Sequence, residues 1–258
     1  ATAAQLNLVD THATNTVNAQ DVTGVSGTLD AVMTATADST INVDANFTVD
    51  LSTTDQASSL SDLNTLMGRT SGAVTATIAS GSATTINTAL SSGATTTPAN
   101  FSTGGDELTI TTSSTTATAA VLNSLNDKVN PVLNAAAITA ISGTAADGAA
   151  MVAADGTAAG KITLKSDYTY QVDQDASTAG NQPVTTEATA INVAAIATNT
   201  GGVVTAAFTV GTDLTAAELN TALGSNTGDA LTVTYAATSV AATDLTGVAA
   251  NTTVALAA

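Results

Sequence analysis

Apolar and polar positions alternate along several short stretches of the chain: Val74, Ala76 and Ile78 with Thr75 and Thr77 between them, and Leu108 and Ile110 with Thr109 and Thr111. A period of two with β-branched residues on the apolar positions predicts half-buried strands. A second pattern separates these stretches, a Ser or Thr followed by Ala-Ala-x-Leu-Asn-x-Leu or a close variant. The hydroxyl can cap free amides, alanine favours helix, and apolar residues three apart share one face. Short helices are therefore predicted near Leu6, Leu29, Leu63, Ile86, Leu122, Ala146, Val193, Leu219 and Leu245. Gly68 and Gly224 suit the left-handed turn that ends a helix.

The two patterns recur in order. Gly105 to Leu125 aligns without gaps with Gly228 to Val248, and Ala3 to Thr28 aligns without gaps with Ala119 to Thr144. Gly72 to Leu90 matches Gly202 to Leu223 with three residues added in the second copy. A helix of eight to ten residues is marginal alone in water, so each must dock on neighbours. One strand and one short helix per unit of about 29 residues predicts a β-rich solenoid. The expectation is a single repeat array over residues 1–258; the alternative is an all-β chain of tandem β-sandwich domains.

One stretch departs from the repeat. Met151 and Val193 lie 42 positions apart, whereas Met33 and Leu63 lie 30 apart, which marks 155–190 as an irregular insertion. It holds Lys161 and Lys165, half of the four cations, together with Tyr168 and Tyr170. Alternation places Ile162, Leu164, Tyr168, Tyr170 and Val172 on one face of a long strand. Lys161, Thr163, Lys165 and Asp167 fall on the other. A loop inserted in a repeat array often carries the binding surface, so Lys161, Lys165, Tyr168 and Tyr170 are the candidate binding or interface residues. The plainer reading is a hairpin that widens one unit, with the tyrosines as its small core.

Composition sharpens this picture. Among 258 residues there are 54 Ala and 53 Thr, but only six aromatics and no cysteine or tryptophan. So few large rings cannot anchor one thick core, and a thin repetitive one is expected. The net charge of −17, with four cations, leaves little to neutralise phosphates, which argues against nucleic acid and against an anionic membrane surface. No apolar run is long enough for a membrane-spanning helix.

Little chemistry can be assembled from these residues. His12 is the sole histidine, so neither a Cys-His nucleophile nor a multi-histidine metal site exists. By alignment His12 falls opposite Lys128, on what reads as a solvated turn, and no serine sits in a nucleophile context. The carboxylate pairs Asp106 with Glu107 and Asp173 with Asp175 lack the aromatic lining of a sugar cleft. No enzyme is expected. Calcium is the one cofactor the oxygen donors suit, with Asp173 and Asp175 as candidate ligands, although no EF-hand or nonapeptide loop is present. Threonine pairs such as Thr75 with Thr77 suggest an ice-binding face, but Ala206 and Ala207 interrupt the array.

The elements A-A-x-L-N-x-L at Ala119 to Leu125, S-G-T-A-A-D at Ser142 to Asp147 and L-N-T-L at Leu63 to Leu66 resemble the Ala/Thr/Asn/Asp-rich repeats of giant extracellular bacterial proteins of cyanobacterial type. Those are adhesins, S-layer proteins and filament proteins. The resemblance implies a secreted or cell-surface structural protein without disulfides. The chain opens inside a helix pattern and closes inside a strand pattern, so uncapped repeat ends are expected to stack on other copies. The expected function is an extracellular structural protein that self-assembles into a filament, layer or fibre, a homopolymer of the chain. The alternative is an adhesin stalk that presents residues 161–187 to a glycan or cell surface.

Overall fold

A computed structural model describes residues 1–37, 40–51, 60–91, 107–128, 132–158, 160–173, 183–224, 228–236 and 241–250. Each predicted helix centre lies in a helix: α1 (Ala3–His12), α2 (Leu29–Ala37), α3 (Leu60–Met67), α4 (Ala83–Ser91), α5 (Ala119–Asn126), α6 (Ala145–Ala154), α7 (Glu187–Asn199), α8 (Ala216–Leu223) and α9 (Ala242–Ala250). Threonine caps start several of them. Thr2, Thr144, Thr186 and Thr215 each accept a backbone N–H from three residues on, and Gln5 and Glu218 reach back to complete capping boxes at α1 and α8. Gly224 ends α8 with φ of 59°, as expected, whereas Gly68 is not among the glycines with positive φ.

The strands are β1 (Val17–Ala19), β2 (Gly24–Gly27), β3 (Ile41–Val43), β4 (Thr48–Leu51), β5 (Val74–Thr77), β6 (Glu107–Thr109), β7 (Thr116–Thr118), β8 (Leu133–Asn134), β9 (Ala140–Gly143), β10 (Ile162–Thr163), β11 (Thr169–Val172), β12 (Val204–Val210) and β13 (Ala230–Tyr235). The chain divides into two compact units. One comprises Ala1–Ser113, Ser124–Asn134 and Thr157–Lys161, the other Ser114–Asn123, Ala135–Gly156 and Ile162–Ala258.

In the first unit β2, β4, β5 and β6 form a parallel sheet in that order, with Gly24 beside Thr48, Val49 beside Val74 and Ala76 beside Leu108. A short parallel pair joins β1 to β3. Helices α1 to α4 pack each on the next. Val25, Val49, Val74 and Leu108 are buried with Leu29, Leu63, Leu66 and Ile86 from the helices. Each such side chain contributes about 1.5–3 kcal/mol on burial.

The second unit repeats the plan with a parallel sheet ordered β7, β9, β11, β12, β13, and helices α6 to α9 packed in sequence. Burial alternates strictly along β12, where Val204, Ala206, Phe208 and Val210 are inside. Thr70 and Gly72 in the first unit have the same job as Thr200 and Gly202 in the second. Each threonine hydroxyl donates to a carbonyl of the preceding strand region, that of Phe47 or of Tyr168, and accepts the glycine N–H. A Cβ on Gly72 would lie 2.3 Å from the Phe47 oxygen, and one on Gly202 would lie 2.2 Å from the Tyr168 oxygen, so only glycine fits.

These findings correct the expected fold class. The chain is a mixed α/β protein with nine helices and several parallel sheets among the described residues, neither a β-rich solenoid nor tandem all-β sandwiches. The strands fall into separate open sheets rather than one continuous ladder. Every described pairing is parallel, which a hairpin-built sandwich excludes. The physical reason is the weight of the helices: parallel neighbours need a crossover, and the capped alanine segments supply it.

Candidate functional site

The insertion does not form the expected long strand. It is broken into β10 and β11 by a turn at Ser166 and Asp167, where the Ser166 carbonyl accepts the Gly201 N–H at 2.7 Å. Ile162, Tyr168, Tyr170 and Val172 of the expected inward face are inside, but Leu164 is only half-buried, like Lys161, Thr163 and Lys165 of the opposite face, so the alternation holds along β11 and not before the turn. Tyr168 donates its hydroxyl to Asn199 Oδ1 at 3.0 Å, and Asn199 Nδ2 donates to Asp155 Oδ2 at 3.2 Å. The second Asp155 oxygen accepts the Leu164 N–H at 3.2 Å. Tyr170 donates to the Thr144 carbonyl at 2.8 Å. Burial pushes both phenols well above the ordinary tyrosine range, with Asp155 adding to the effect at Tyr168 and Asp147 at Tyr170. These two candidate binding residues are core residues whose polar ends are used inward, and they share the second unit's interior.

The cations sit apart from them. Lys165 pairs with Asp167 on the exposed turn, and its hydrogen bond holds the Asp167 carboxyl below the usual carboxylate range. An exposed pair of this kind contributes little to stability. Lys161 belongs to the first unit, where its carbonyl accepts the Leu133 N–H at 2.9 Å. Asp173 is tied by its backbone N–H to the Gly143 carbonyl at 2.8 Å. Asp175, the other candidate calcium ligand, lies outside the described residues. Among the described residues no three His, Cys, Asp or Glu side chains come together as a metal site. No described helix is long and apolar enough to cross a membrane.

Sequence reasoning missed a polar cluster between α4 and the end of α5. Lys128 Nζ donates to Asn87 Oδ1 at 2.5 Å and to Ser124 Oγ at 2.9 Å, and Ser124 Oγ donates to the same Asn87 oxygen at 3.0 Å. Lys128 is half-buried, and burial pulls its ammonium below the ordinary lysine range against a smaller opposing pull from Asp127. Lys128 lies in a turn, as expected, but is half-buried there, whereas its aligned counterpart His12 is exposed at the end of α1. The cluster's signal was the alignment itself, which sets Ser124 and Lys128 opposite Leu8 and His12.

Among the described residues β13 has a strand neighbour on one side only, β12, in register from Thr205 beside Ala230 to Val210 beside Tyr235. Leu231 and Val233 point inward, while Thr232 and Thr234 are exposed. On α1, Leu8 and Val9 are 60% and 53% exposed and border a groove of about 460 Å³ with His12 and Ala13. A second hollow of about 290 Å³ lies by Thr209, Thr212 and Asp213 after β12. The threonine rows are broken: Thr77 lies beside Thr109 and Thr209 beside Thr234, but Thr75 faces Glu107 and Ala207 faces Thr232.

Comparison with protein-family models, with curated proteins and with solved structures finds no match for the chain.

Proposed function

We propose that the chain is an extracellular structural protein that self-assembles by strand addition at an open sheet edge. The observation that carries this reading is β13. It is six residues long, free of charge and of proline, and paired on one side only among the described residues. Such an edge presents a row of backbone donors and acceptors to another chain. The natural safeguards against edge pairing, a lysine, a proline or a bulge, are missing from β13 itself. The Ala/Thr/Asn/Asp-rich motifs and the absence of cysteine accord with the resemblance to extracellular bacterial repeat proteins, and that resemblance supports the location. A net charge of −17 keeps free copies apart at low salt, so assembly strengthens as salt screens it.

The experiment is light scattering and negative-stain electron microscopy of the purified chain over a range of concentration and salt, with and without calcium. Oligomers or fibres are expected to grow with concentration, and the double variant Thr232→Lys/Thr234→Lys is expected to suppress them while keeping the native circular dichroism. A chain that stays monomeric throughout, or fibres indifferent to the two lysines, would sink the proposal.

A further inference from the structure

The cluster of Asn87, Ser124 and Lys128 places an amine, a carboxamide and a hydroxyl in mutual contact where α4 meets the end of α5 and the turn after it. We propose that Lys128 and Asn87 join in an intramolecular amide cross-link between α4 and the turn that follows α5.

The geometry supplies each part. Lys128 Nζ sits 2.5 Å from Asn87 Oδ1, against the carboxamide it would attack. Ser124 donates its hydroxyl to that oxygen at 3.0 Å, which draws electron density from the amide carbon and stabilises negative charge that develops on the oxygen. The same hydroxyl accepts from Nζ at 2.9 Å and so bridges the nucleophile and the carbonyl oxygen of the amide under attack. Burial raises the fraction of Lys128 present as the free amine. The hydrogen bonds from Ser124 and Lys128 to Asn87 hold the groups together, which replaces a bimolecular encounter.

The step balances without an oxidant, reductant or added reactant. The neutral Nζ attacks Asn87 Cγ, and a bond forms between them. One Nζ proton is given up to water, and Nδ2 takes one proton from water, so the count is unchanged. The bond from Cγ to Nδ2 then breaks, and ammonia leaves. The product ties two residues that stand 41 positions apart in a chain with no cysteine.

The aligned sites show that this arrangement is particular to one place. Asn220 of α8 is the counterpart of Asn87, but it packs on Gly247 of α9, where a Cβ would come within 2.5 Å of the Asn220 oxygen. In α1 the positions of Ser124 and Lys128 are held by Leu8 and His12. Neither place combines the amine with the hydroxyl. The proposal does not rest on self-assembly, and its test reads mass rather than oligomeric state.

The test is intact-mass spectrometry of the full chain, fresh and after incubation at rising pH, followed by protease digestion. The expected result is a species lighter by one ammonia, accumulating faster as pH rises towards the lysine range, with a branched peptide that joins the Asn87 and Lys128 segments. Lys128→Arg keeps the charge and can keep the contact to Asn87, yet it should retain the full mass; Asn87→Ala should do the same, and Ser124→Ala should slow the loss. Circular dichroism checks that each variant folds. A wild-type chain that keeps its full mass after alkaline incubation would overturn the cross-link, as would ammonia loss that persists in Lys128→Arg.

Discussion

Residues 3–28 and 119–144 fold in the same way on their inward side and differently on their outward side. Asn7 Nδ2 donates to the Ala31 carbonyl at 3.1 Å, and Asn123 Nδ2 donates to the Asp147 carbonyl at 2.9 Å. Gly27 and Gly143 have φ of 148° and 149°, and a Cβ on either would lie 3.5 Å from the Cβ of Ala3 or Ala119. Outward, Leu8 is 60% exposed and Val9 53%, whereas Ser124 bonds to Asn87 and Leu125 is fully buried. Helix-to-helix geometry is thus set by a few small or amide residues that let backbones approach. The outer face is free to vary.

The inward similarity can be broken most strongly at the leucine of each helix. Leu122 is fully buried and Leu6 nearly so, at 8% exposure. Leu122→Ala is expected to cost about 3 kcal/mol and Leu6→Ala about 2 kcal/mol, read by urea unfolding. The second helix should lose more, because neighbours surround its leucine completely. Equal losses, or a larger one at Leu6, would show that the two inward faces are not packed as their contacts indicate.

Much of this plan is legible from residues alone. The helix centres follow from a Ser or Thr ahead of an Ala- or Leu-bearing segment with apolar residues three apart, and the inward residues Val74, Ala76, Leu108, Tyr170 and Val172 follow from alternation. Pairing does not follow, because a period of two fixes a face but says nothing of which strand lies alongside. That gap produced the wrong fold class. Alternation also ran straight through Ser166 and Asp167, where the backbone turns. The Lys128 cluster was hidden for a different reason. Asn87 stands 41 residues from Lys128, and only packing of α4 near the end of α5 brings them together.

Alkali should sharpen the comparison next. Tyr170 donates to the Thr144 carbonyl, and burial raises its phenol above the ordinary value of about 10. Folded tyrosine therefore keeps its proton where the unfolded chain loses it. The stability it contributes is fully present below about pH 10 and is lost as pH rises towards the folded value, by up to about 1.4 kcal/mol per pH unit for each such tyrosine. Tyr168, raised in the same direction, adds a second share. Tyr170→Phe should flatten part of this alkaline loss in urea titrations between about pH 9 and pH 11. An unchanged slope would place the phenol in water rather than in the core.

The smallest effect tests the caps. Thr28 accepts the Ala31 N–H at 3.2 Å, the ordinary job of a residue at a helix start. Thr144 accepts the Asp147 N–H at 3.0 Å and also donates its hydroxyl to Asp147 Oδ2 at 2.8 Å, because Asp stands where the first stretch has Ala31. Asp147 also suits the partial positive charge at the start of α6. Thr144→Ala removes two hydrogen bonds and Thr28→Ala one, so their costs should be about 1.5 and about 0.7 kcal/mol. Adding Asp147→Ala to Thr144→Ala should then cost less than Asp147→Ala does alone, since the hydroxyl that it bonded is already gone. If the two cap variants cost the same, the carboxylate at Asp147 contributes nothing through Thr144, and the two helix starts are equivalent in energy as well as in shape.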